Sequence, residues 1–193
     1  MQTPRQLELI EAAIKLTAAD GIQKLTIRNV ASAIGVSEAA VYRHFESKHE
    51  LLKAILAYLD AMLSPRFEAL LESKAPAFEA LLSFLSDLFT LLEHNTAFTL
   101  MLFAEETFNV DPQLQTELLS LMEGNLARLV QFFQKAIEKG ACRSDLDPLQ
   151  LAVITFGSIR LSVSRWHLQG ASTSLTNQAT PIVNTLITLF SVM

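Results

Sequence analysis

Residues 25–52 read LTIRNVASAIGVSEAAVYRHFESKHELL, and the fold turns on how this stretch divides. Thr26 caps a helix whose Ile27, Val30, Ala31 and Ile34 recur at the spacing of one helical face. Ile34-Gly35-Val36 breaks that helix, because Gly35 can take the positive φ that a tight interhelical turn needs. Ser37 opens a second short helix to about His44, with Ala39 and Ala40 facing outward and Val41 and Phe45 inward. Ser47-x-x-Glu50 has the spacing of a capping box and starts a third helix with Leu51 and Leu52 on its apolar side. This is the pattern of a helix-turn-helix, with residues 37–44 as the candidate reader of a DNA major groove.

Two short amphipathic helices around a glycine also occur in helical proteins that never touch DNA. The solvent-side chemistry separates the cases. Thr26, Arg28, Ser37, Tyr42, Arg43, His44, Ser47 and Lys48 crowd donors and cations into one small unit, and phosphate oxygens are contacted by such groups. Thr26, Ser37, His44, Ser47 and Lys48 are assigned to phosphates. Arg28, Tyr42 and Arg43 are assigned to the groove or base edges, and either arginine can fork onto guanine. Ala39 and Ala40 let the helix approach the groove closely.

At these residues, Leu25-Thr26-x-Arg28-x-Val30-Ala31 and then Gly35-Val36-Ser37-x-x-x-Val41-Tyr42-Arg43-His44-Phe45-x-x-Lys48, the chain resembles the N-terminal domain of the tetracycline-repressor (TetR) family. The resemblance covers about the first 55 residues. It implies an all-α protein with a three-helix DNA-binding head and a larger helical domain for ligand binding and dimerisation. Beyond the head only length and helix pattern are similar, so neither effector nor target genes follow.

The chain has 193 residues, half of them hydrophobic, and a net charge of −5. No apolar run approaches the ~18 to 20 residues of a membrane span, and the N-terminus lacks a signal-peptide core. The single cysteine, Cys142, cannot make an internal disulfide, so a reducing bacterial cytoplasm or nucleoid is the expected location. Its neighbour Arg143 suggests a surface thiol with mildly favoured thiolate. The charge is unevenly spread. Residues 1–53 hold seven Lys/Arg against six Asp/Glu, while residues 54–193 hold eight against fourteen. A near-neutral head with clustered cations, carried by an acidic body, fits DNA binding at one end only.

Only helices are signalled, about nine of them. Thr3-Pro4-x-Gln6 opens the first, ending near Gly21, with Leu7, Ile10, Ala13, Ile14 and Leu16 expected to pack on the helix-turn-helix. The helix from Ser47 runs past Pro65, which should bend it, to about Ser73. Helices follow over 76–93, 96–108, 112–139 and 148–169, and a last one reaches about 192. Pro181 either kinks that helix or marks its first turn. The expected division is a DNA-binding domain over 1–47, with the start of the connecting helix to about 53, and a ligand-binding and dimerisation domain over 48–193.

The body is rich in phenylalanine, so an effector there should be apolar or amphipathic. Phe84, Phe89, Phe103, Phe108 and Phe132 are the expected apolar lining. Glu106, Arg128, Arg160 and His167, with Glu105 and Asn125, are the expected orienting groups. The last two helices are apolar nearly all round and mix large with small residues. Phe156, Ile159, Val163, Trp166, Val183, Leu186, Ile187 and Phe190 are expected to form a bundle with a second copy, as the resemblance also implies, unless they pack within one subunit. Two heads roughly 34 Å apart would then read a near-palindrome.

No metal-ligand spacing, phosphate loop or nucleophile elbow is present, so neither catalysis nor a cofactor is expected. The sequence therefore points to a homodimeric transcriptional regulator, a repressor that leaves its operator when an effector fills the body. The alternative is a DNA-bound scaffold that recruits a protein partner and has no inducer.

Overall fold

The computed structural model describes residues 2–103, 108 and 111–192. Nine α-helices occur among them: α1 Pro4–Asp20, α2 Ile27–Ala33, α3 Glu38–Tyr42, α4 Lys48–Glu72, α5 Ala77–His94, α6 Thr96–Phe103, α7 Pro112–Glu138, α8 Pro148–Leu168 and α9 Ala179–Phe190. The all-α reading holds. The chain forms two compact units, one from Met1–Ala61 with Asn95–Ser120, the other from Met62–His94 with Leu121–Met193.

In the first unit α1, α2 and α3 each begin where a side chain satisfies a free backbone N–H. Thr3 and Gln6 form a reciprocal capping box at α1, with Pro4 at the first position. Thr26 accepts from the Asn29 amide to start α2, and Ser37 accepts from the Ala40 amide to start α3. Gly35, at φ 69°, makes the turn between them. The core is Leu9, Ile10, Ala13, Ile14, Leu25, Val30, Val41, Phe45, Leu51, Leu52, Ile55 and Leu59, all at most 5% exposed.

The stripe on α1 is 9-10-13-14-17. Leu7 and Leu16, expected in the core, flank that stripe and are only half-buried. Helix α6 packs against α1 and buries Phe98, Thr99 and Met101. The Phe98 ring meets Tyr58 edge-on at 6.4 Å.

In the second unit α5 is the central apolar helix, burying Leu81, Phe84, Leu85, Leu88, Phe89, Leu91 and Leu92, and it packs on α9. Pro65 lies inside α4, not at its end. Pro181 is the third residue of α9, so it belongs to the first turn, where a missing N–H costs nothing. Aromatic contacts join α4 to α5, Phe67 to Phe84 at 4.8 Å, and α7 to α9, Phe133 to Phe190 at 5.9 Å.

After α9 the chain is held by the Arg143 amide, which donates to the Phe190 carbonyl at 2.9 Å. The segment between α8 and α9 turns through Gly170 and Ala171, both at positive φ. The Trp166 indole N–H fixes it by donating to the Thr173 carbonyl at 2.6 Å.

Candidate functional site

Three helix starts, at Thr26, Ser37 and Ser47, supply the head with hydroxyls whose acceptor role is already used. Each oxygen accepts a backbone N–H, from Asn29 at 3.1 Å, Ala40 at 3.2 Å and Glu50 at 3.2 Å respectively. The hydroxyl proton of each is therefore left to donate, which is what a phosphate oxygen requires. Around them Thr26, Arg28, Ser37, Ala39, Tyr42, Arg43 and Lys48 are exposed, and Ala40, His44 and Ser47 are half-buried. Tyr42 is a large aromatic with 49% of its surface in solvent, while the intervening Val41 is fully buried. Position 41 anchors α3 so that its neighbours on either side stand outward. The Gln6 side chain donates to the His44 carbonyl at 3.4 Å and ties the end of α3 to α1.

One charged group on this face is absent from the expected set. Glu38, the first residue of α3, places a carboxylate oxygen 3.6 Å from Arg28 Nε. An acid in the first turn of a helix is ordinarily explained by the dipole alone. Its pairing with a residue ten positions earlier depends on the turn geometry, which sequence spacing does not give.

The residues expected to line an effector site fall into both units. Phe103 and Phe108 belong to the first unit, and Phe84, Phe89, Phe132, Arg128, Arg160 and His167 to the second. Glu105 and Glu106 lie outside the described residues. Phe84, Phe89, Phe108 and Phe132 are buried, and Phe103, Arg128, Arg160 and His167 are half-buried. Arg128 donates to the Asn125 side-chain oxygen at 3.1 Å and has Glu68 at 3.8 Å. Asn125 itself is 3% exposed, a buried amide held by a cation.

His167 stands beside Trp166, their rings 6.3 Å apart. Its Nδ1 is buried without a hydrogen-bond partner among the described residues. Among the described residues the clefts of this unit include one of about 90 Å³ between Trp166, Arg165 and Gln178 and one of about 50 Å³ between Leu70, Phe132 and Lys135. Neither reaches the ~300 Å³ at which ligand pockets begin.

On α8 and α9 the expected contact residues turn mainly inward. Ile159, Val163, Trp166, Val183, Leu186 and Phe190 are each at most 6% exposed, and Phe156 and Ile187 are half-buried. The apolar side chains that face outward are others: Leu149, Val153, Ile154, Leu161 and Leu168 on α8, at 43, 45, 45, 62 and 86%, and Leu189 on α9 at 51%. Of these, Ile154, Leu161 and Leu168 are seven residues apart and form one stripe, opposite the buried one. A helix apolar all round hides which stripe belongs to its own subunit. Cys142, expected as a surface thiol, is instead buried, and burial pushes its thiol up to about 11. Arg143 instead pairs with Asp145 at 2.6 Å.

Residues 9–55 match the family model of bacterial regulatory proteins, tetR family. Residues 58–189 match that of the YsiA-like protein, C-terminal region. The fatty acid metabolism regulator protein of Bacillus subtilis (strain 168) is 24% identical over 186 residues, 95% of this chain and 94% of that one. The nucleoid occlusion factor SlmA of Edwardsiella ictaluri (strain 93-146) is 28% identical over 149 residues, 77% of this chain and 75% of that one. Two solved structures share the fold. The fatty acid degradation regulator FadR of Bacillus halodurans has a TM-score of 0.85 at 19% identity, covering 97% of this chain and 96% of that chain. FadR of Bacillus subtilis in complex with stearoyl-CoA has 0.83 at 21%, covering 94% and 97%.

Proposed function

The chain belongs to the tetR family of bacterial regulatory proteins, and on that premise we propose that this DNA-binding transcriptional regulator is a homodimeric repressor released by an amphipathic effector, an acyl thioester of coenzyme A. The observation that carries the DNA half is the head: three capping hydroxyls with a proton to donate, and Arg28, Tyr42, Arg43 and Lys48 exposed beside them. Support for the effector comes from the relatives, one a fatty acid metabolism regulator and another solved with stearoyl-CoA. The phenylalanine-rich helices are chemically suited to an acyl chain.

In this reading residues 1–47 and the start of α4 read DNA, and residues 48–193 bind effector and the second copy. The copies meet through the outward stripe of α8 and Leu189 of α9, spacing the two heads for a near-palindrome. The effector favours a body conformation in which that spacing is lost, so DNA and effector weaken each other reciprocally. Arg128, Arg160 and His167 are the groups we assign to the polar end of the effector. No helix among the described residues is long and apolar enough to cross a membrane, and we place the regulator in the cytoplasm or nucleoid, without catalytic activity of its own.

The test is selection from a random duplex library, followed by titration of the selected complex with stearoyl-CoA, stearate and free coenzyme A. Selection of a near-palindrome and its release by stearoyl-CoA alone supports the reading. Failure to select any site sinks it. A second reading is favoured by the SlmA relatives: a DNA-bound scaffold with no inducer. Binding of a selected site that none of these compounds weakens would point there.

A further inference from the structure

Among the described residues, the carboxylate of Glu38 reaches across the two reader helices. Its Oε1 lies 3.6 Å from Arg28 Nε, with the Arg28 and Glu38 side chains 83% and 49% exposed. An ion pair that open to solvent contributes next to nothing to folding, so the fold does not explain it. Nor does a generic DNA-binding surface, since a carboxylate facing phosphates lowers affinity for every sequence.

The pair makes sense if it acts on base choice. Contact at Nε occupies one edge of the guanidinium and leaves the Nη1 and Nη2 hydrogens to point forward. Those two form the fork that meets O6 and N7 of guanine. The same carboxylate accepts but cannot donate. At a neighbouring base edge it is compatible with the amino group of cytosine, or of adenine, and repelled by the O6, O4 and N7 acceptors of guanine and thymine. Its position fits: Glu38 is the first residue of α3, Arg28 the second of α2, and the Gly35 turn brings the two helix starts together.

We propose that Glu38 is a specificity-determining residue of the reader, orienting Arg28 for one guanine and rejecting operators that lack an amino donor beside it. The inference rests on the DNA-binding reading of the head. It assigns Glu38 a role opposite to that of the cations around it, giving up general affinity in exchange for discrimination.

The test uses the full-length chain and a random-sequence duplex library, since the operator is unidentified. Wild type, Glu38→Gln, Glu38→Ala and Arg28→Ala are each put through selection and sequencing, and each is titrated with a random-sequence duplex of fixed length. Both Glu38 variants are expected to bind the random duplex several-fold tighter. Both should lose about tenfold discrimination at one or two adjacent positions of the selected site, and Arg28→Ala should lose preference at an overlapping position. Unfolding temperatures should stay at the wild-type value, which separates the effect from misfolding. If wild type selects a site and the Glu38 variants keep every base preference, the role of Glu38 is overturned while the DNA-binding reading stands. Tighter random binding with unchanged preferences overturns it equally. If wild type selects nothing, both readings fall together.

Discussion

The carboxylate of Glu93, near the end of α5, accepts three hydrogen bonds from the turn before α9. Two come from Thr176, its amide at 3.0 Å and its hydroxyl at 2.9 Å, and one from the Ser174 hydroxyl at 3.1 Å. Partial burial pushes the Glu93 carboxyl up, but the Thr176 and Ser174 donors outweigh it and hold the group below the usual carboxylate range. A depressed folded value means the charge stabilises the fold fully above the unfolded value of about 4.3. That contribution is lost as pH falls through the lower folded value. Glu93→Gln should therefore lower the melting temperature at pH 7, by an amount corresponding to about 1 kcal/mol. The gap to wild type should narrow steadily below about pH 4.3. A gap that widens on acidification would refute the linkage.

Cys142 gives a second pH-dependent readout. With its thiol pushed up to about 11, about a hundredfold less thiolate exists at pH 8 than in an ordinary thiol. Alkylation of the folded protein by iodoacetamide should be slower than that of the urea-unfolded chain by at least that factor. Equal rates in the two states would show an accessible thiol.

The two cations at the end of the reader should separate by type of loss. Lys48→Ala is expected to weaken binding to all duplexes alike and to reduce the salt slope by about one unit. Arg43→Ala is expected to relax preference at one operator position, at about 1–3 kcal/mol. Uniform, sequence-blind losses from both would remove Arg43 from base reading.

Gly35 is set at φ 69°, and a Cβ there would meet nothing within 4 Å. The cost of Gly35→Ala is thus conformational, about 1–2 kcal/mol, and Gly35→Asn should cost less because asparagine tolerates that region. Thermal unfolding of the two variants orders them. A larger loss in Asn than in Ala would mean that space, not backbone, limits the turn.

Leu161→Glu with Leu168→Glu tests the outward stripe of α8. Both side chains are mostly in solvent, so the single chain should fold as before. Sedimentation should show a monomer, and affinity for a selected near-palindrome should fall by at least about a hundredfold. A dimer that survives both charges would move the interface elsewhere.

What the sequence revealed depended on how local the signal was. Caps at Thr3, Thr26 and Ser37 and the turn at Gly35 are decided within a few residues, and the helix starts came out where these residues stand. The outward placement of Arg28, Tyr42, Arg43 and Lys48 was also legible, because Val41 and Phe45 between and beside them had to face in. Tertiary partners were not. Leu9 replaced Leu7 in the core because which of several adjacent apolar residues is buried depends on the partner helix. The inward and outward stripes of α8 carry similar residues, so periodicity could not choose between Ile159 and Leu161. Glu38 reads as helix stabilisation until the turn sets it beside Arg28.

The packing of α6 on α1 has a consequence for how such regulators can exchange parts. The unit that carries the reader is completed by Asn95–Ser120, which lies far along the chain. A head cut out at residue 61 would leave without the surface that covers α1, and a chimera made by one crossover would pair a head with a foreign cover. Recombinants that keep a soluble, working head should be those that inherit both segments from the same parent.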